Sequence, residues 1–320
     1  MILLATNERD ITSDFVALEL ERRGLPFFRL NTETLSDAAV SFQPQLGERG
    51  WAIEYSPDKS LRFVDVRAGY LRRPEIPAIR LDVGDEVQRQ YCSAEWGLSL
   101  LSALRSLGDR WLNSPISMLL AEDKPRQLAL ALRLGFEVPE TLVTNDPEGA
   151  QKFVARGGCI GKPLSSSLFG TGDRERVVFT TRLALSDLEN NPDIEVAPII
   201  LQREITKKSD LRVTVVGEKI FAAEIHSQSS TETEVDWRKG GAIDLLHSEH
   251  RLPELISEKC FQLTRMLGLK FSAIDLVLSD DNRYWFLEIN PNGQWAWVEK
   301  RLGVRIAEAI VDELVEISKC

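Results

Sequence analysis

The chain switches repeatedly between two hydrophobic periods. Residues 1–6 are a short apolar run, residues 14–23 carry Phe15, Leu18 and Leu20 at helical spacing before Gly24, and residues 26–30 are apolar again. This order predicts a parallel strand–helix–strand opening. Residues 51–55, 61–66 and 68–71 read as further strands, closed by Arg72, Arg73 and Pro74. A long amphipathic helix follows over 87–107, and WLNSP (111–115) reads as a strand running into a turn.

From residue 121 the pattern restarts. A helix is predicted over 125–134 with Gly135 as its stop, then a strand at 141–144, a helix at 147–156 and the short strand CIGKPL. That strand enters SSSLFGTGD (165–173), whose small and polar residues suit a mobile flap, and 177–180 is another strand. A third unit begins with strand 199–205 and a hairpin turning at Gly217 and Glu218. A helix over 253–267, two strands joined at Asp280, Asp281 and Asn282, and a C-terminal amphipathic helix complete it. The expected organisation is three units, 1–120, 121–198 and 199–320, in an α/β (α+β) fold.

Composition narrows the function classes. The net charge of −10 and pI near 5.1 argue against a nucleic-acid footprint over the whole protein. Cys92, Cys159, Cys260 and Cys320 have no zinc-like spacing, and His247 and His250 lack a third ligand, so they read as a solvated pair. With neither a signal peptide nor a long apolar run, the expectation is a cytoplasmic chain without membrane contact.

The chemistry concentrates near the end. Asp275, Glu288 and Asn290 fall on two adjacent predicted strands, alternating with Ile274, Leu276, Leu287 and Ile289. Glu288 and Asn290, two apart, share a face, and a short hairpin brings Asp275 to it. Each alone reads as a strand-end polar group; together, two carboxylates and an amide form an oxygen-only set that suits Mg²⁺ shared with phosphates. Lys124 and Lys162 are candidate phosphate contacts, although a lone lysine is usually a solvated charge. No P-loop is present, and GTG at 170–172 is too short to be a nucleotide fingerprint. LQREI (201–205) is either an ordinary edge strand or one wall of a base pocket, with Glu204 or Asp210 placed for ribose hydroxyls. Arg72 and Arg73 are either solvated or available to acidic groups of a partner.

In order, Lys124, Lys162, LQREI, DLRVTVVG, AIDL and LEINP resemble the ATP-grasp superfamily, from about residue 121 onward. YLRRP, WLNSP, PETLVTNDP, VDWR and LEINPNGQW make the chain most similar to the microviridin-type (graspetide) peptide maturases, relatives of RimK-type ligases. The resemblance implies an N-terminal βαβ pre-ATP-grasp domain, a central domain and a C-terminal antiparallel-sheet domain. It implies ATP and Mg²⁺ as cofactors, with Lys124 and Lys162 on phosphates and Gln202, Arg203, Glu204 and Ile205 lining the adenine and ribose pocket. Asp275, Glu288 and Asn290 would hold Mg²⁺, and Arg212 and Arg238 would lie near the transferred phosphate. Arg203 stands where the common pattern has an acid. The implied partner is a precursor peptide with a leader and acidic core residues, and a homodimer is implied as well. The implied reaction activates a peptide carboxylate and closes an ester or amide bond. The alternatives are a RimK-like ligase adding an amino acid or small amine, and a non-catalytic nucleotide-binding module.

Overall fold

A computed structural model describes residues 1–79, 82, 84–165, 168–169, 176–189, 192–240 and 244–319. The proposed flap falls largely outside the described residues, as do GTG at 170–172 and Cys320.

β1 (Ile2–Thr6), α1 (Ile11–Arg22) and β2 (Phe27–Asn31) form the expected parallel unit. Asp10 caps α1 by accepting from Ser13 N, and Asp14 sits in its first turn. A small antiparallel sheet follows, of β3 (Ala39–Phe42), β4 (Trp51–Ser56) and β5 (Lys59–Arg62). β6 (Ala68–Leu71) then pairs in parallel with β1, giving the order β2-β1-β6. Every residue of β1 is buried, as a central parallel strand covered on both faces requires. Leu3 and Ala5 pack towards Leu100, Ala103 and Leu104 of α2 (Glu86–Arg105). Ile2 and Leu4 pack into a second cluster with Val16 and Leu20 of α1.

WLNSP is not a strand: Trp111 makes one isolated bridge to Gly69, and Ser114 caps α3 (Pro115–Ala121). Proline at the first helical position explains the difference, since its missing N–H costs a helix start nothing. The proposed strand at 61–66 likewise ends at Arg62 and passes into a 3-10 turn at Phe63–Asp65.

α4 (Lys124–Arg133) leads to β7 (Thr141–Thr144), α5 (Pro147–Val154) and β8 (Cys159–Lys162). The two-residue pair β9 (Leu168–Phe169) and β10 (Arg176–Val177), then β11 (Thr181–Leu183), α6 (Leu185–Glu189) and β12 (Ile199–Arg203) follow. An antiparallel sheet of order β11-β8-β12-β7 packs Cys159 and Leu201 on Ala150, Phe153 and Val154 of α5.

The largest sheet is antiparallel, in the order β15-β14-β13-β16-β17. Its strands are β13 (Lys207–Val216), β14 (Lys219–Ile225), β15 (His247–Glu249), β16 (Phe271–Ser279) and β17 (Tyr284–Asn290). Gly217 opens the β13–β14 turn at φ 57°, as a two-residue hairpin turn demands. One face buries Leu211, Val213, Ile274, Leu276, Phe286 and Ile289 against α4 and α7 (Glu254–Met266). α8 (Ala296–Leu302) and α9 (Ile306–Lys319) pack with α1 and β6, so the C-terminal helices share a core with the first sheet. Trp295, fully buried in that core, donates Nε1–H to Tyr70 Oη at 3.2 Å.

The histidines are not a solvated pair. His250 sits between Glu224 Oε2 at 2.9 Å and Tyr284 Oη at 3.0 Å, and His247 packs its ring on Trp297. The unforeseen strand β15 draws both against the sheet edge. No helix among the described residues is long and apolar enough to cross a membrane.

Candidate functional site

Opposite its helical face, the five-stranded sheet carries a polar row. Arg212 of β13 stands directly across from Asp275 of β16, which stands directly across from Glu288 of β17. The last step requires a β-bulge: Leu276 pairs with Phe286 and Asp275 with Glu288, leaving Leu287 unpaired. In a regular strand Phe286 and Glu288 would share a face. The extra residue keeps Phe286 in the apolar core and turns Glu288 to the other side.

That side faces the four-stranded sheet across a cleft of 570 Å³, within the usual ~300–1,000 Å³ of small-molecule sites. Lys124, Lys162, Gln202, Asp210, Arg238, Asp275, Glu288 and Asn290 all line it. Arg212 does not line it; its Nε lies 3.2 Å from Asp275 Oδ1, an ion pair without hydrogen-bond alignment. Arg203, Glu204 and Ile205 border a smaller adjoining hollow, which shares Ile160, Gln202, Val235 and Leu287 with the main cleft.

Each cation has a distinct setting. Lys162 ends β8 in the cleft; burial pulls its ammonium below the ordinary lysine range, opposed mainly by Glu288. Lys124 opens α4 and donates to Pro163 O at 2.8 Å and Ser165 O at 3.1 Å, with burial again lowering its pKa. Arg238 is held by two 2.8 Å bonds to Asp236, and this pairing keeps its guanidinium firmly charged. Trp237 lines the cleft beside it and is backed by Trp297, with ring centroids 5.5 Å apart.

The two carboxylates are driven apart. Burial pushes Asp275 up to about 6, against the pull of Arg212, with Glu288 adding to the rise. Burial also raises Glu288, but Lys162, Arg238 and Lys124 more than offset it and hold it below the usual range. The leading influences on Asp275 and Glu288 are burial and neighbouring charges rather than hydrogen bonds.

Asp210 is buried and engaged: Lys207 Nζ approaches its carboxylate at 2.7 Å and Ser227 Oγ at 2.5 Å, while burial raises its pKa. Arg203 turns away from the nucleotide-sized space. Its guanidinium lies 4.1 Å over the Phe153 ring and bonds the carbonyls of Phe153 and Gly157. Glu204 pairs with Arg182 at 2.8 Å. Asn290 Oδ1 accepts from Asn292 N at 2.8 Å.

Arg72 is neither solvated nor open to a partner. It is 1% exposed, bonding Asp10 at 3.1 Å, Asn292 O at 2.8 Å and Gly293 O at 2.9 Å. Arg73 takes a left-handed φ of 47°, its carbonyl accepting from Asn7 Nδ2 at 2.8 Å. Gly293 is required at its place: a Cβ there would lie 2.3 Å from Ala273 Cβ. Sequence reasoning missed Asp236 and Trp237, although both lie in the VDWR stretch, and it singled out Arg72 for a surface role where the structure makes it a buried anchor.

Two carboxylates and an amide in the same cleft as Lys124, Lys162 and Arg238 fit Mg²⁺ completed by phosphate oxygens and water. Among the described residues no three His, Cys, Asp or Glu side chains converge, so the protein alone builds no metal cage.

The RimK-like ATP-grasp domain family matches residues 121–314, and the chain belongs to that family. Its fold is similar to the macrocyclase MdnC of Microcystis aeruginosa MRC, bound with precursor peptide MdnA. The two are 30% identical, with 99% of each chain covered and a TM-score of 0.86. It is also similar to a Chryseobacterium gregarium RiPP-associated ATP-grasp ligase, in complex with ADP and a leader and core peptide. That match has 28% identity, covers 98% of this chain and 96% of the other, and has a TM-score of 0.88. Among curated proteins, a probable alpha-L-glutamate ligase of Legionella pneumophila (strain Corby) is 25% identical over 228 residues, 70% of this chain and 73% of that one. The protein is an ATP-grasp ligase with ATP and Mg²⁺ as cofactors.

Proposed function

We propose that the chain closes intramolecular ester or amide bonds in a ribosomally made precursor peptide, activating an Asp or Glu side chain as an acyl phosphate. A peptide hydroxyl or amine then displaces the phosphate. The observation that carries this reading is the full-length likeness to a macrocyclase and a RiPP-associated ligase, both solved with peptides, including the first 120 residues that the RimK-like domain match does not reach. We assign Lys124 and Lys162 to nucleotide phosphates and Gln202–Ile205 to the base and ribose end, with Arg203 and Ile205 contributing backbone. Asp210, which lines the cleft, is assigned to the ribose hydroxyls. Glu288, Asp275 and Asn290 would hold Mg²⁺, which supplies charge neutralisation at the phosphates. Arg238, oriented by Asp236, stabilises charge that develops during transfer, and Arg212 holds Asp275 from behind.

The division at residues 121 and 199 is proposed as the domain organisation, with α4 bridging because its apolar face packs on the large sheet. A leader segment as anchor, a homodimer and a cytoplasmic setting complete the proposal. The RimK-type relatives favour a second reading, addition of a free amino acid or small amine to a carboxylate. Mass spectrometry separates the two: macrocyclisation of a Thr-, Ser-, Lys- and acid-containing peptide loses one water per bond and adds no residue. A gain in mass supports the second reading. No ADP release with any acidic peptide leaves only a nucleotide-binding module.

A further inference from the structure

β17 is the outer strand of its sheet, so the N–H and C=O groups along its free edge need other partners. At Ile289, between Glu288 and Asn290, a single side chain supplies both. Gln127 of α4 accepts from Ile289 N at 3.1 Å and donates to Ile289 O at 2.8 Å, standing in for a missing neighbouring strand. The same Nε2 donates to Ala121 O at 2.6 Å, just before the helix start. Gln127 is 3% exposed and three residues from Lys124, so both lie on one face of α4.

The clamp continues beyond Asn290. Asn113 donates to Pro291 O at 2.9 Å and Phe271 O at 2.8 Å while accepting from Lys270 N and Phe271 N. Arg72 then takes the carbonyls of Asn292 and Gly293. Buried side chains from three separate segments thus fix the backbone around Asn290, which itself remains exposed.

We infer that Gln127 is a positioning residue that sets the geometry of the Mg²⁺-binding strand and couples it to the helix carrying Lys124. This rests on the assignment of Glu288 and Asn290 as metal ligands above. A two-way amide bond resists sliding and lifting of the edge strand and so holds Glu288 and Asn290 at one spacing to Lys124. Loss of the amide leaves the N–H and C=O of Ile289 unpaired in a buried place and frees the strand to move relative to α4.

The test uses the full chain and titrates Mg²⁺ into the protein with ADP, read by calorimetry and by intrinsic tryptophan fluorescence. Gln127→Met keeps the volume and removes the bonds; Gln127→Asn keeps an amide one methylene too short to bridge. Outer-shell partners of metal ligands typically matter about 10–100-fold, so Gln127→Met is expected to raise the Mg²⁺ half-saturation about tenfold, and Gln127→Asn less. Thr264→Val is the structural reference, since it deletes buried bonds to Cys260 O at 2.8 Å and Ser272 Oγ at 2.7 Å on the far side of β16. It should lower the melting temperature and leave the Mg²⁺ midpoint alone. An unchanged midpoint in a folded Gln127 variant overturns the inference, as does an equal shift in Thr264→Val. If Gln127→Met does not fold, the midpoint of Gln127→Asn decides. The titration needs no peptide, so its result is separable from the substrate proposed above.

Discussion

Glu288 sits among Lys162, Arg238 and Lys124, and these cations hold it ionised despite its burial, whereas for Asp275 burial outweighs the pull of the imperfectly aligned Arg212 and of Arg238. Among the described residues six carboxylates and three cations line the cleft, a negative excess that suits a nucleotide arriving with its own Mg²⁺. Glu288→Gln keeps the shape and removes the charge. It should lower turnover by more than the ~100-fold seen on losing an outer-shell partner, with an unchanged circular-dichroism spectrum. Retained ADP formation would remove Glu288 from the metal set. The identities of Lys124, Lys162, Asp275 and Glu288 were legible in the sequence because chemistry limits which residue types can meet phosphate and Mg²⁺. Their gathering into one cleft was expected, and all four line it. What was hidden were residues such as Gln127 and Asn113, whose roles are hydrogen bonds to partners far away in sequence, up to 178 positions for Asn113 and Pro291.

Among the elements, β17 depends on an irregularity that periodicity cannot show. Alternation along Tyr284–Asn290 would put Phe286 and Glu288 together, yet one is in the core and the other in the cleft. Leu287 is the extra residue that makes both possible. Deleting Leu287 should therefore force either the carboxylate into the apolar core or Phe286 out of it. Burying an unpaired charge costs several kcal/mol, so urea unfolding should show a loss of that order or no folded protein. A deletion that leaves the unfolding midpoint unchanged would contradict the bulge as the orienting device. Helices α3 and α8 were missed for a different reason: each has seven residues, too few to display a helical period.

For the molecule as a whole, the first sheet and the large sheet are tied in two ways. Helices α1, α8 and α9 share one apolar cluster, and Arg72 joins Asp10 to the loop after Asn290. Removing one partner of a buried ion pair costs about 3–5 kcal/mol. Arg72→Met should lose about that much in chemical denaturation and, by loosening 292–293, should also reduce activity in the folded fraction. The double variant with Asp10→Asn should lose less than the sum of the singles, because the orphaned charge is then gone. Full additivity would show that Arg72 and Asp10 act independently.

The sequence by itself determined the chemistry available and the order of the elements. Strands and helices follow from local period and caps, and LEIN, AIDL, LQREI and two lysines carried the resemblance to ATP-grasp ligases, with a non-catalytic nucleotide-binding module left open beside it. Only the tertiary structure decided which face Glu288 takes, that Arg72 is an internal anchor, that Arg203 turns to Phe153 instead of the cleft, and that Gln127 closes the edge of β17. The reason is physical: side-chain identity and local period are properties of neighbouring residues. A bulge, a buried counter-charge and an edge bond are set by whichever distant segment packs there, and one sequence carries no direct signal of that pairing.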